Sequence, residues 1–249
     1  MLQQTQVSRV VPKYAEFLAK FPSFDSLARA SLSDVLKAWQ GLGYNRRAVA
    51  LKKIAEIVVR DFDGKLPRNP ETLLELPGIG PNTAGSLLAF AFNIPIPFIE
   101  TNIRSVFIHF FFPEDETAGK KVDDKDIFPL IEKLLDASQP REWYYALMDY
   151  GVMLKTTLRA TSGNPSRRSA THRSQSKFKG SNRELRATIL RAILAKPGID
   201  LKTIKKQVAK QLPSSFTKEK VAMNLDALEK EGFIVRAKSD KKTGWTTAA

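Results

Sequence analysis

The stretch Leu76-Pro77-Gly78-Ile79-Gly80-Pro81-Asn82-Thr83-Ala84-Gly85 constrains this chain more than any other. Gly78 and Gly80 accept backbone angles that other residues resist, and Pro81 fits the first turn of a new helix, so the segment reads as a tight turn between two helices. Such a turn aims free backbone N–H groups at one spot. With the dipole of the following helix they make an anion site of phosphate size. Taken alone, the same residues also read as a plain helix-helix turn that uses glycine for packing.

The remaining pattern is helical. Val7, Val10, Val11, Tyr14, Phe17, Leu18 and Phe21 recur at helical spacing, as do Phe24, Leu27, Ala28, Leu32, Val35, Leu36 and Trp39, and both sets read as core faces. A further run from Ala48 to Val59 precedes the hairpin, and helical runs cover about 83–92, 102–112, 126–136 and 141–155. No strand alternation stands out before residue 232. The expectation is an all-α domain over residues 1–155.

Charge narrows the partner. The formal net charge is +14, an excess that favours a polyanion, with nucleic acid first. No cysteine is present, which excludes disulfides, zinc thiolates and iron-sulfur ligation by this chain. No apolar run reaches membrane length and no signal peptide stands out, so no membrane partner is expected. The expected state is a cytoplasmic monomer, nucleoid-associated in a prokaryote.

Phe98-Ile99-Glu100-Thr101-Asn102-Ile103-Arg104-Ser105-Val106 puts a carboxylate at the end of an apolar run, where another helix begins. A carboxylate there is either a helix cap or a catalytic group. Together with Leu2-Gln3-Gln4-Thr5-Gln6, Gly41-Leu42-Gly43-Tyr44, the hairpin and Ala146-Leu147-Met148-Asp149-Tyr150-Gly151, it forms an ordered set. That set resembles the helix-hairpin-helix DNA glycosylase superfamily, and within it the adenine-DNA glycosylases of the MutY type, over residues 1 to about 155.

The resemblance implies excision of adenine mispaired with guanine or 8-oxoguanine, on double-stranded DNA containing the mismatch. Hydrolysis of that bond needs protonation of the departing base and a carboxylate facing a positively charged sugar. Glu100 aligns with the sugar-facing carboxylate, where the family generally has Asp. The family's general acid lies just upstream of the MLQQTQ motif, so a longer natural N-terminus is expected. Asn82 stands where bifunctional relatives carry a Schiff-base lysine, which implies a monofunctional enzyme. Asn82 and Asn102 read either as capping amides or as groups that orient water or substrate, and Asp149 matches an acidic family position near the adenine pocket. A mismatch-binding protein without catalysis, and a thymine or uracil mismatch glycosylase, are the alternatives.

For DNA contact, Leu2, Gln3, Gln4 and Thr5 resemble the loop that wedges beside the base opposite the target. Tyr44 matches the first Tyr of the family's GLGYY, and Asn45 replaces the second. Gly78, Gly80 and Thr83 are expected at a phosphate, Arg104 joins the DNA-binding set, and hairpin carbonyls are expected to hold a monovalent cation. The family's iron-sulfur cysteines fall between Lys155 and Arg183, a stretch with no acidic residue and eight Lys or Arg. Residues 156–181 therefore read as a linker or a basic arm that tracks phosphates. From Asn182, three short helices followed by a two-stranded hairpin resemble a winged helix over residues 182–249, with Thr217 to Glu229 as the recognition helix and 238–243 as the wing tip.

Overall fold

Most of the helices begin where the sequence supplies a cap or a proline. The computed structural model describes residues 1–113, 120–158, 164–213, 215–239 and 242–248. In chain order these form α1 (Val7–Lys20), α2 (Phe24–Arg29), α3 (Leu32–Trp39), α4 (Arg46–Asp61), α5 (Pro70–Glu75), α6 (Pro81–Phe92), α7 (Thr101–Phe111), α8 (Asp124–Leu134) and α9 (Pro140–Thr157). There follow α10 (Asn182–Ala195), β1 (Ile199–Asp200), α11 (Leu201–Gln211), α12 (Lys218–Lys230), β2 (Ile234–Ser239) and β3 (Lys242–Thr247). Proline opens α5, α6 and α9, where a missing N–H costs nothing. Ser23, Ser31, Asp200 and Thr217 cap α2, α3, α11 and α12 through their side-chain oxygens.

The chain divides into two units, one of residues 1–66 with 175–249 and the other of residues 67–174. In the first, Phe17 meets Phe21 and Trp39 edge to face at 4.9 and 5.9 Å. Leu185, Ile189, Leu225, Phe233 and Trp245 belong to the same buried cluster as Phe17, Leu36 and Trp39. The three C-terminal helices and their sheet thus share one core with α1–α4. The sheet is antiparallel in the order β1-β3-β2, with Arg236 opposite Trp245. Residues 240 and 241, the middle of the expected wing tip, lie outside the described residues.

Two expectations change here. β1 is a strand before residue 232, too short at two residues to show any alternation. On α1, Val10 and Phe17 are buried, but Val7, Val11, Tyr14 and Leu18 are exposed. The apolar residues of this helix form two stripes, and only one of them is core.

In the second unit, Phe98, Ile99, Ile103, Phe107, Ile131 and Tyr144 form the centre of the core. Two glycines allow close approach. A Cβ on Gly85 would stand 2.5 Å from the Phe98 side chain, and one on Gly151 would stand 2.5 Å from the Asn102 carbonyl oxygen, pressing α9 against the start of α7. Tyr144 pins the segment before α7, its hydroxyl donating to Ile96 O at 2.8 Å and accepting from Phe98 N at 3.2 Å. Burial pushes that phenol up to about 12.

The run read as a linker or arm is partly folded onto this unit. Pro165–Arg168 makes a single 3-10 turn capped by Asn164, Ser166 is buried with its hydroxyl against that of Ser105, and Val122 bonds through its backbone to Arg168 and Ala170 at 2.8 Å. Low apolar content hid this attachment, because it is made of hydroxyl and backbone pairs rather than apolar burial. Among the described residues, no helix is long and apolar enough to cross a membrane.

Candidate functional site

The expected site residues divide between the two units. In residues 67–174 the hairpin forms as a turn: Gly78 takes φ +79°, which an L side chain resists, and Ile79 N bonds to Leu76 O at 3.1 Å. Gly80 is the residue before α6, has no side chain to cap it, and its carbonyl accepts from Thr83 N and Ala84 N at 2.9 Å. Nothing lies within 4 Å of where its Cβ would be. Gly78, Gly80, Pro81 and Asn82 are exposed and Thr83 is half-buried. The start of α6 is therefore open to an anion, with the positive end of its dipole facing out. Ser86 Oγ donates to the Asn82 main-chain carbonyl, and the Asn82 side chain sits on the exposed first turn.

Glu100 caps α7. Its Oε2 accepts from Asn102 N at 2.7 Å, which leaves Oε1 without a hydrogen bond among the described residues. One carboxylate can thus hold the helix start and present negative charge to a neighbouring cation. The Asn102 amide oxygen accepts from Lys155 Nζ at 2.6 Å, and its nitrogen lies 4.0 Å from the Met148 sulfur. Burial pushes the Lys155 ammonium below its usual range, against the pull of Glu100 and with a further push from Arg104. The structure thus brings Glu100 and Asn102 together.

Arg104 corrects the sequence reading. It is 8% exposed and grips Asp124 with Nε and Nη2 at 2.6 and 2.7 Å, so its charge is spent inside the unit and is not offered to DNA. Asp149 lies exposed on α9, and among the described residues no hydrogen bond ties it to Glu100 or Asn102.

In residues 1–66, the Leu2–Thr5 loop is clamped to the Gly41–Tyr44 loop by Arg47. Its guanidinium donates to Met1 O at 2.7 Å, to Gln3 O, to Thr5 Oγ1 at 2.8 Å and to Gly43 O at 3.1 Å. Thr5 Oγ1 in turn donates to Leu42 O at 3.2 Å. Arg47 also sits over the Trp39 and Tyr44 rings, and Arg183 donates to the Tyr44 hydroxyl at 3.1 Å. Gln4 and Tyr44 both carry positive φ, at 56° and 47°, without being glycine. Strain of this kind persists only where the surroundings hold it. Leu2, Gln3 and Gln4 remain exposed at the edge of this clamp.

Sequence reasoning missed Arg47 and Lys155. Arg47 entered none of the motifs, and Lys155 read only as part of the basic stretch where the family's cysteines fall. In a single sequence nothing marks either as a partner of distant backbone or amide groups.

Residues 1–134 match the family described as HhH-GPD superfamily base excision DNA repair protein. The chain is similar to the adenine DNA glycosylase of Buchnera aphidicola subsp. Baizongia pistaciae, 35% identical over 62% of this chain and 43% of that one. It is 42% identical to the adenine DNA glycosylase of Mycolicibacterium smegmatis over 43% of this chain and 36% of that one, and 34% identical to the human enzyme of that name over 64% and 29%. The chain spans less than half the length of each of these relatives. Among solved structures it is similar to a thermostable thymine-DNA glycosylase, with TM-score 0.54, 27% identity and coverage of 61% of this chain and 70% of that one. A trapped endonuclease III–DNA covalent intermediate, at TM-score 0.50 and 17% identity over 62% and 68%, shares the fold. With the glycine hairpin in place and the family match covering more than half of its length, the chain belongs to the HhH-GPD superfamily of base excision DNA repair proteins.

Proposed function

We propose that this chain is a monofunctional DNA glycosylase that hydrolyses the N-glycosidic bond of adenine paired with guanine or 8-oxoguanine in duplex DNA. The observation that carries the reading is Glu100, held at the start of α7 with Oε1 unbonded among the described residues. The names of its relatives supply the base. As the bond to the base lengthens, positive charge grows on the sugar, and a fixed carboxylate lowers the energy of that charge without reorganising. Water then adds to the sugar while an acid protonates the departing adenine. The resemblance places no general acid among residues 1–249, which supply the carboxylate and the DNA-binding elements, so base release by these residues is expected to be slow. Asn82 carries no amine, so water rather than the hairpin residue at this position is the nucleophile.

The open start of α6 suits a DNA phosphate, and the exposed Leu2–Gln4 loop suits the gap that a flipped nucleotide leaves. The hairpin also fits a monovalent cation, since no backbone N–H bond to the carbonyls of Pro77, Gly78 or Ile79 is found among the described residues. Such an ion would tie the turn to the phosphate it faces. No iron-sulfur cluster is proposed, because this chain has no thiolate. The chain is proposed to act as a monomer.

A second reading, thymine excision, draws on the likeness to the thymine-DNA glycosylase. Incubating excess protein with duplexes bearing A·G, A·8-oxoguanine, T·G or U·G pairs, and identifying the released base, separates the two. Free adenine from the first two duplexes supports the proposal. Thymine or uracil release without adenine refutes it, and mismatch binding with no base released supports the binding protein.

A further inference from the structure

Lys155 occupies the last turn of α9 and places Nζ 2.6 Å from Asn102 Oδ1. An ammonium has three donors and no acceptor, so the bond fixes which end of the Asn102 amide faces it. The oxygen turns to Lys155 and the nitrogen turns away, to a weak sulfur acceptor 4.0 Å off on Met148. The same residue gives its backbone N–H to Glu100 Oε2, and Gly151 lets α9 close on its main chain. Lys155 therefore acts on the residue that the Glu100 carboxylate holds.

The position is unfavourable for a cation on stability grounds. It lies near the positive end of the α7 dipole, and burial lowers the affinity of the amine for its proton. Arg104 adds to the push while its own charge is matched by Asp124. Lys155 thus holds Asn102 at an energetic cost that the attraction of Glu100 only partly offsets.

We propose that Lys155 is a positioning residue for base removal: by holding the Asn102 amide oxygen, it presents the Asn102 amide nitrogen as a hydrogen-bond donor beside the Glu100 carboxylate. The group it serves is an acceptor oxygen of the sugar or of the attacking water. The proposal rests on the reading of Glu100 as the carboxylate that faces the sugar.

The first readout needs no DNA. With asparagine labelled in ¹⁵N and Asn102 assigned by substitution, the chemical shifts of the Asn102 side-chain amide report the bond that its oxygen accepts from Lys155. In Lys155→Met, which keeps the apolar stem and loses the donor, these signals should move. The second readout is the preference for a duplex carrying a cationic pyrrolidine at the target site over one carrying a neutral tetrahydrofuran. Lys155→Met should lose about tenfold of that preference, less than the roughly hundredfold that a displacement of about an ångström can cost. The sign is decisive, because a lysine acting through charge alone would repel the cation and its removal would raise the preference.

Three results overturn the proposal: an Asn102 amide unchanged by Lys155→Met, a stronger preference for the cation in that variant, or a borohydride-trapped adduct of abasic duplex on Lys155, which would make it a nucleophile. If Lys155→Met does not fold, Lys155→Leu takes its place, with the same expected and overturning results. An unaltered protein that shows no preference for the cationic duplex counts instead against the reading of Glu100, and leaves the amide result standing on its own.

Discussion

Gly151→Ala tests how closely the start of α7 must be placed. A Cβ at residue 151 would meet the Asn102 carbonyl oxygen at 2.5 Å, its carbonyl carbon at 2.8 Å and its Cβ at 2.8 Å, against ordinary contacts that begin at 3.4 Å. Two of these atoms are backbone, so no rotamer change relieves the clash, and the start of α7 must give way by about an ångström, a scale on which rates fall about a hundredfold. Stability responds less. Overpacking of this kind costs about 1–3 kcal/mol, and alanine in place of glycine inside α9 returns roughly 0.5–1 kcal/mol. The expected result is a folded protein whose melting point by circular dichroism falls by several degrees at most. Its single-turnover release of adenine, by contrast, should drop about a hundredfold relative to the parent, which is roughly 2.7 kcal/mol of barrier. Release within about twofold of the parent, from a folded variant, would refute the argument that Glu100 and Asn102 form the reacting centre and must be held at this spacing.

Other outcomes follow from the same geometry. Gly80→Val has room for its side chain and an ordinary φ of −100°, so the fold should hold while duplex affinity falls at least about tenfold and the salt dependence of binding becomes shallower; unchanged affinity in a gel-shift titration would sink the phosphate assignment. Arg47→Met removes the clamp between the Leu2–Thr5 and Gly41–Tyr44 loops and should weaken mismatch binding by about tenfold, or roughly 1.4 kcal/mol, with wild-type binding as the contrary result. For Lys155 the folded-state affinity for the proton is lowered, so its charge costs stability at neutral pH and the cost fades as pH rises toward 10.5. Chemical denaturation of the parent and Lys155→Met across that range should show the stability of the parent gaining on that of the variant, and a gap independent of pH would contradict the burial argument.

Local signals explain what the sequence made legible. Pro81 and Pro140 mark the starts of α6 and α9, Thr217 caps the helix expected from that residue onward, and the glycines of the hairpin announce the turn. Each of these acts within a few residues of itself. What stayed hidden depends on pairs far apart in the chain. Arg104 reads as a cation for DNA until Asp124, on the next helix, claims it. Lys155 reaches back 53 residues to Asn102, and Arg47 reaches 46 residues to Met1. Spacing also cannot say which of two apolar stripes on α1 is covered, and so Val11 and Tyr14 read as core although they are exposed. The joining of residues 1–66 with 175–249 around one core is hidden for the same reason, because periodicity describes each helix and not its neighbour.

The charge of Glu100 is the centre of the account, and Glu100→Gln isolates it. An amide oxygen at this position can still accept from Asn102 N, so the cap on α7 survives and only the negative charge is lost. The measurement is single-turnover release of adenine from an A·8-oxoguanine duplex by the parent and by Glu100→Gln, with duplex affinity measured alongside. The account predicts slow release by the parent, none detectable from the variant, and affinities within about threefold of each other, a difference of less than about 1 kcal/mol. Equal release by the two proteins would show that Glu100 is a helix cap and nothing more.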